Sequence, residues 1–200
     1  MPRNDMGRPI RELLADPEWV AARIAGRGER ERQFAEREAE YTHVEAEMVR
    51  ELNEAGVRVS TVWDLVSRRT AYPEAIPVLL DHLPRPYPSR IREGIVRALA
   101  APEANVGWRQ LVDAFKNERA TDPKFALAIA VGGASSDADI SELADLVRHH
   151  AEGVVRVPLL WGLMKSSDPR AAKVLKEMQR DPDLAPQVKQ ARRERPPRSK

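Results

Sequence analysis

A helical pattern recurs through the second half of the chain, and it constrains the fold more than any other feature. The segments AIPVLLDHL, WRQLVDAFK, DISELADLV and RAAKVLKEM coincide in their apolar positions. Ile76, Leu79, Leu80 and Leu83 match Trp108, Leu111, Val112 and Phe115, then Ile140, Leu143, Ala144 and Val147, then Ala171, Val174, Leu175 and Met178. The leading positions are separated by 32, 32 and 31 residues. Each segment carries the i, i+3, i+4, i+7 spacing of one helical face.

A second set follows the first three: IREGIVRALA from Ile91, FALAIAVGGA from Phe125 and VRVPLLWGLM from Val155. Ile95, Ile129 and Leu159 fall in one column. Ala98, Gly132 and Gly162 fall in another, a small residue where two helices would approach closely. Two helices per repeat predict an all-α fold of antiparallel helix pairs stacked in series, each pair burying the face its neighbour leaves open.

Helix punctuation supports this reading. Asp16-Pro17, Asp168-Pro169 and Asp181-Pro182 each set a capping carboxylate before a proline, which is tolerated at the first helical position because its missing N–H would be unpaired there. Ser60 is a further candidate cap, for a helix carrying Val62, Trp63, Leu65 and Val66. Residues 28–56 predict a long charged helix stopped by Gly56, with a thin stripe of Phe34, Tyr41, Val44, Met48, Leu52 and Ala55. Arg37 and Glu51 would occupy core positions of a coiled coil, which favours an amphipathic helix laid against the body. The only strand-like piece, Val57-Arg58-Val59, is too short to build on. The expected organisation is a flexible N-terminus over 1–15, a helical region over 16–59, the repeat domain over 60–186 and a basic tail over 187–200.

The pattern resembles HEAT-like repeats, the armadillo-type α-solenoid family, in a short-repeat variant. The resemblance rests on the proline-led first helices (Pro73-Glu74-Ala75-Ile76 and Asp168-Pro169-Arg170-Ala171), the Ile91-Arg92 opening of a second helix and its Ala98-Leu99 close. It covers residues 73–180, with a period shorter than the ~40–47 residues of ordinary HEAT units. Such a resemblance implies scaffolding or protein recognition. Some HEAT-like proteins bind nucleic acid, and a short variant occurs in lyases that attach bilins. The repeat specifies packing and carries over no catalytic residue.

Residues 1–72 and 73–168 each carry a net charge of −2, and residues 169–200 carry +6. A protein that grips a phosphate backbone carries its cations on the folded face. Here the excess lies in QVKQARRERPPRSK, so nucleic acid is the alternative partner, through the tail alone. The chain has no cysteine, which removes disulfides and thiolate metal sites and suits a reducing cytoplasm. No window approaches the ~18 apolar residues of a membrane span.

Candidate chemistry is sparse. Glu40-x-x-His43 has di-iron ligand spacing but no second copy. His149-His150 ends a helix, where adjacent side chains point ~100° apart and cannot chelate together. His82 sits beside the repeat's core positions. Gly132-Gly133 lacks the lysine and preceding strand of a phosphate loop and predicts close packing and a helix stop instead. No catalytic, metal or cofactor residue emerges.

On the second helices, the positions facing away from the first helices are Val96 and Arg97, then Leu127 and Val131, then Val157, Leu160 and Trp161. They form an apolar strip that is either exposed, where it would mark an interaction site with Trp as anchor, or covered as core by the helix over 28–56 or the C-terminal helix around 174–193. The expected function is non-enzymatic binding of a protein partner, or of a second copy, through these seven residues.

Overall fold

A computed structural model describes residues 9–149 and 153–194, with the side chains of 191–194 excepted. The described residues form helices and turns, with no strand among them. The fold is all-α. Two compact units divide the chain, residues 1–44 and 45–200.

The first unit holds α1 (Ile10–Leu14) and the N-terminal part of α2 (Pro17–Glu54). The long helix therefore begins eleven residues earlier than expected. Asp16 caps it, its Oδ1 accepting the backbone N–H groups of Glu18 and Trp19, each at 3.2 Å. Gly26 and Gly28 do not interrupt it, since one glycine costs only ~1 kcal/mol in a helix interior. Arg23 stacks on the Trp19 ring at 5.0 Å. Ile24 and Phe34 are exposed.

The C-terminal end of α2 opens the second unit, where Met48 and Leu52 are fully buried. Gly56 stops the helix with φ +88°. The N–H of Gly56 bonds the Asn53 carbonyl at 3.0 Å and that of Val57 bonds Leu52 at 2.9 Å, the paired bonds of a Schellman motif. Buried Glu45 accepts the Val62 N–H at 3.0 Å and so ties α2 to the short helix α3 (Trp63–Val66). Val62 and not Ser60, as expected, stands at the N-cap of α3, and Thr61 Oγ1 ahead of it accepts the Trp63 N–H at 2.9 Å.

Eight helices follow: α4 (Ala75–His82), α5 (Ser89–Ala98), α6 (Trp108–Asn117), α7 (Thr121–Ala134), α8 (Ile140–His149), α9 (Gly153–Lys165), α10 (Pro169–Glu177) and α11 (Ala185–Glu194). Helix α4 packs on α5, α6 on α7 and α8 on α9. The second helices also touch in series, α5 to α7, α7 to α9 and α9 to α11. Of the sixteen aligned first-helix positions, Leu175 alone is part-exposed and the rest are buried.

Polar bonds also join α6 and the turn before it to α8 and the turn before it, and α8 to α10. Trp108 Nε1 donates to Glu142 at 2.9 Å, Asn105 Nδ2 to Asp139 at 2.6 Å, and Arg148 to Glu177 at 3.0 Å. Asp168 caps α10 by accepting the Arg170 N–H at 2.7 Å, and Asp181 accepts from Asp183 and Leu184. All three Asp-Pro signals are thus caps.

Pro158 lies inside helix α9, six residues into it. The proline removes the N–H that would bond the Val154 carbonyl.

Candidate functional site

Helices α7 and α9 are apolar around most of their circumference, and their neighbours decide which residues meet water. Four of the seven expected strip residues are buried: Val96, Leu127, Val131 and Leu160. They are core, so at these four positions the covered arrangement holds and not the exposed one. The physical cause is lateral packing. Helix α7 is flanked by α5 and α9 as well as α6, so positions pointing away from its first helix are covered by the second helices beside it. In α7 it is Phe125 and Ile129, assigned to the inner columns, that are part-exposed.

Arg97, Val157 and Trp161 do reach the surface. Trp161 is 52% exposed and Val157 is part-buried. Sequence reasoning missed their companions, Val154 at 58% and part-exposed Met164. Residues 154, 157, 161 and 164 advance by three, four and three, which holds them within an arc of about 80° at ~100° per residue. One apolar stripe thus runs along the outer side of α9. That spacing was visible in the sequence, but the first member lies beyond the aligned segment.

Val96 and Leu127 instead floor a groove of about 580 Å³ between α5 and the start of α7, with Arg92, Arg97 and Asp122 on its sides. Arg92 Nη2 pairs with Glu118 Oε2 at 2.7 Å, and Arg97 Nε with Glu93 Oε1 at 2.7 Å. Tyr87 also lines this groove. Its hydroxyl lies 2.6 Å from Nδ1 of His82, whose Nε2 lies 2.9 Å from Glu51 Oε2. His82, beside the repeat's core positions in sequence, is fully buried, a core residue with both nitrogens engaged. Burial pushes the Tyr87 hydroxyl above its ordinary pKa, with Arg85 opposing.

Among the described residues, Glu51, Asp81 and His82 bring one possible ligand atom each within 4.8 Å of one another. Glu51 and Tyr87 already hold the imidazole, and Arg85 holds Asp81. The group is a hydrogen-bond and ion-pair network joining α2 to α4. Glu40 and His43 are both exposed on α2.

Arg156 is buried beneath the α9 stripe. Its Nε donates to the Val147 carbonyl at 2.7 Å, and its guanidinium pairs with Asp181 ahead of α11. Gly132 and Gly162 lie where α7 and α9 meet, as their small side chains suggested. An added Cβ at Gly162 would come 2.7 Å from Leu143.

His150, residues 1–8 of the expected flexible N-terminus and residues 195–200 of the basic tail lie outside the described residues. No described helix is long and apolar enough to cross a membrane. Comparison with known proteins finds no matching family model, no matching curated protein and no matching solved structure.

Proposed function

We propose that the chain is a short α-solenoid of HEAT-like helix pairs that binds a protein partner through the outer stripe of α9. One observation carries this reading: Val154 and Trp161 stand more than half exposed on a helix whose other faces are packed. Leaving two large apolar side chains in water forgoes the gain of burying them, ~1.5–3 kcal/mol for a fully buried side chain of this kind. Trp is also the commonest anchor of interface hot spots.

The stripe spans eleven residues, about 15 Å of helix. Alone it is too narrow for the ~800 Å² per partner of a standard interface. It fits an amphipathic helix laid lengthwise, presenting its own anchors at i, i+3 or i+4 and i+7. The occupant is therefore a helix of another protein.

A photo-crosslinking residue at Val154, used in cells, tests this. A discrete adduct is expected, and it should disappear when Trp161→Ala is added while circular dichroism stays unchanged. An adduct that survives Trp161→Ala removes the reading. An adduct of twice the chain's own mass would assign the stripe to self-association instead.

A further inference from the structure

We infer that one face of α2 binds a single-stranded nucleic acid, its arginines meeting phosphates and its exposed aromatic ring stacking on a base. From Trp19 to Tyr41 the helix sets Arg23, Arg27, Arg30, Phe34 and Arg37 at steps of four or three residues. At ~100° per residue these positions stay within an arc of about 80° along ~33 Å of helix. Every residue on that arc is an arginine or an aromatic, and none is acidic. The whole stripe lies in the first unit.

Segment charge conceals this face. Residues 17–44 hold five arginines against six glutamates, but the two signs take different sides. Glu18, Glu29 and Glu36 fall ~120–140° from the centre of the arc. A helix is ~10–12 Å across, so those carboxylates stand beyond the ~8 Å over which salt lets charge act. Arg32, turned off the arc, pairs with Glu29. Arg23, Arg27, Arg30 and Arg37 are exposed and form no ion pair among the described residues. The helix neutralises the arginine it turns away and leaves charged the four it lines up.

The ring among them selects the ligand. Phe34 is 59% exposed in a shallow recess bordered by Arg27, Arg30 and Arg37. A bare aromatic face beside cations suits a base with its phosphates. Glu31 and Glu38 border the arc on one side, and uncharged Gly26 and Gln33 on the other. A duplex groove wraps a helix with phosphates on both sides, and those two carboxylates would repel one backbone. A single strand can follow the arginines and the uncharged side alone, with its bases free to stack.

Fluorescence anisotropy of a labelled oligothymidylate of about twelve nucleotides, titrated with the full chain, tests this. Four phosphate contacts contribute about −2.8 to the slope of log affinity against log salt, a roughly fiftyfold loss between 50 and 200 mM. Arg27→Gln with Arg30→Gln should lessen the slope by about 1.4 while circular dichroism stays unchanged. Phe34→Ala should weaken binding about tenfold without moving the slope, and Phe34→Trp should restore it. The same strand lacking its bases should also bind about tenfold more weakly. A slope that ignores the α2 arginines but lessens with Arg195→Gln and Arg198→Gln would place binding in the tail and overturn the inference. Equal affinity for the baseless strand, tighter binding of a duplex, or no saturable binding would overturn it too. Self-association lost in the Arg27→Gln, Arg30→Gln chain, with no strand bound, would assign the stripe to the acidic side of a second copy instead. Trp161→Ala should not alter this titration, so the α9 reading and this one fail separately.

Discussion

The carbonyl oxygen of Pro158 in α9 occupies the space that a Cβ on residue 132 of α7 would need, so the two helix backbones meet only because residue 132 is glycine. The next small position, Gly162, extends the same contact, its added Cβ falling 3.1 Å from the Gly132 carbonyl oxygen. Gly132 has no positive φ, so conformational freedom is not its purpose.

Gly132→Ala is therefore expected to destabilise the protein by about 1 kcal/mol. Alanine's helix propensity favours the change by ~1 kcal/mol, but a backbone carbonyl cannot swing aside and overpacking costs ~1–3 kcal/mol. Gly28→Ala is the control: nothing lies within 4 Å of its added Cβ, and it should stabilise α2 by about 0.8 kcal/mol. Urea denaturation of both variants distinguishes the two signs.

Leu160 and Trp161 are adjacent on α9, yet one is fully buried and the other half exposed. Leu160→Ala should cost about 3 kcal/mol, within the range for buried leucines. Trp161→Ala should cost under ~1 kcal/mol, although it removes the larger side chain. Equal losses would show that the outer stripe of α9 is misplaced.

Arg156 ties three elements together, donating to Val147 of α8 from within α9 and pairing with Asp181 ahead of α11. Arg156→Met keeps the volume and removes the charge. It removes the guanidinium's bonds to the Val147 carbonyl and to Asp181 Oδ2, and about 3 kcal/mol should be lost. Amide exchange in α11 should accelerate more than in α6, since the ion pair closes on the α11 side.

Glu118 should make stability acid-sensitive. The Ala120 N–H, the Arg92 guanidinium and the Arg119 N–H together hold its carboxyl below the ordinary value of 4.5, outweighing burial, which raises it. A folded-state pKa below the unfolded one contributes stability above the unfolded value and loses it as pH falls through the folded value. Glu118→Gln should accordingly lower stability at pH 7 and flatten its decline below pH 4.5. Denaturation midpoints from pH 7 to 3 provide the check.

Much of this architecture was legible in the chain. Ile76, Trp108, Ile140 and Ala171 head four helical faces whose burial follows the apolar spacing, because a first helix has one dry side and a charged opposite side. Asp16, Asp168 and Asp181 announced helix starts, and Gly56 a stop, because capping is chemistry between residues close in sequence. The second helices were less readable. Leu127, Val131 and Leu160 look the same in sequence as Val157 and Trp161, since all are apolar, and the one charged neighbour, Arg156 beside Val157, is itself buried and marks no wet side. The Glu51–His82–Tyr87 chain joins residues 31 and 5 positions apart and has no spacing to betray it.

The sequence by itself determined the all-α class, the repeat length, the inner face of each first helix and the small residues at the close crossing. Each follows from local periodicity or local hydrogen bonding. Only the tertiary structure decided which apolar residues of α7 and α9 remain in water, that Arg156 and His82 are buried, and that Tyr87 lines a groove. A helix that is apolar nearly all round states that it avoids water. The helices packed beside it decide which side is left open.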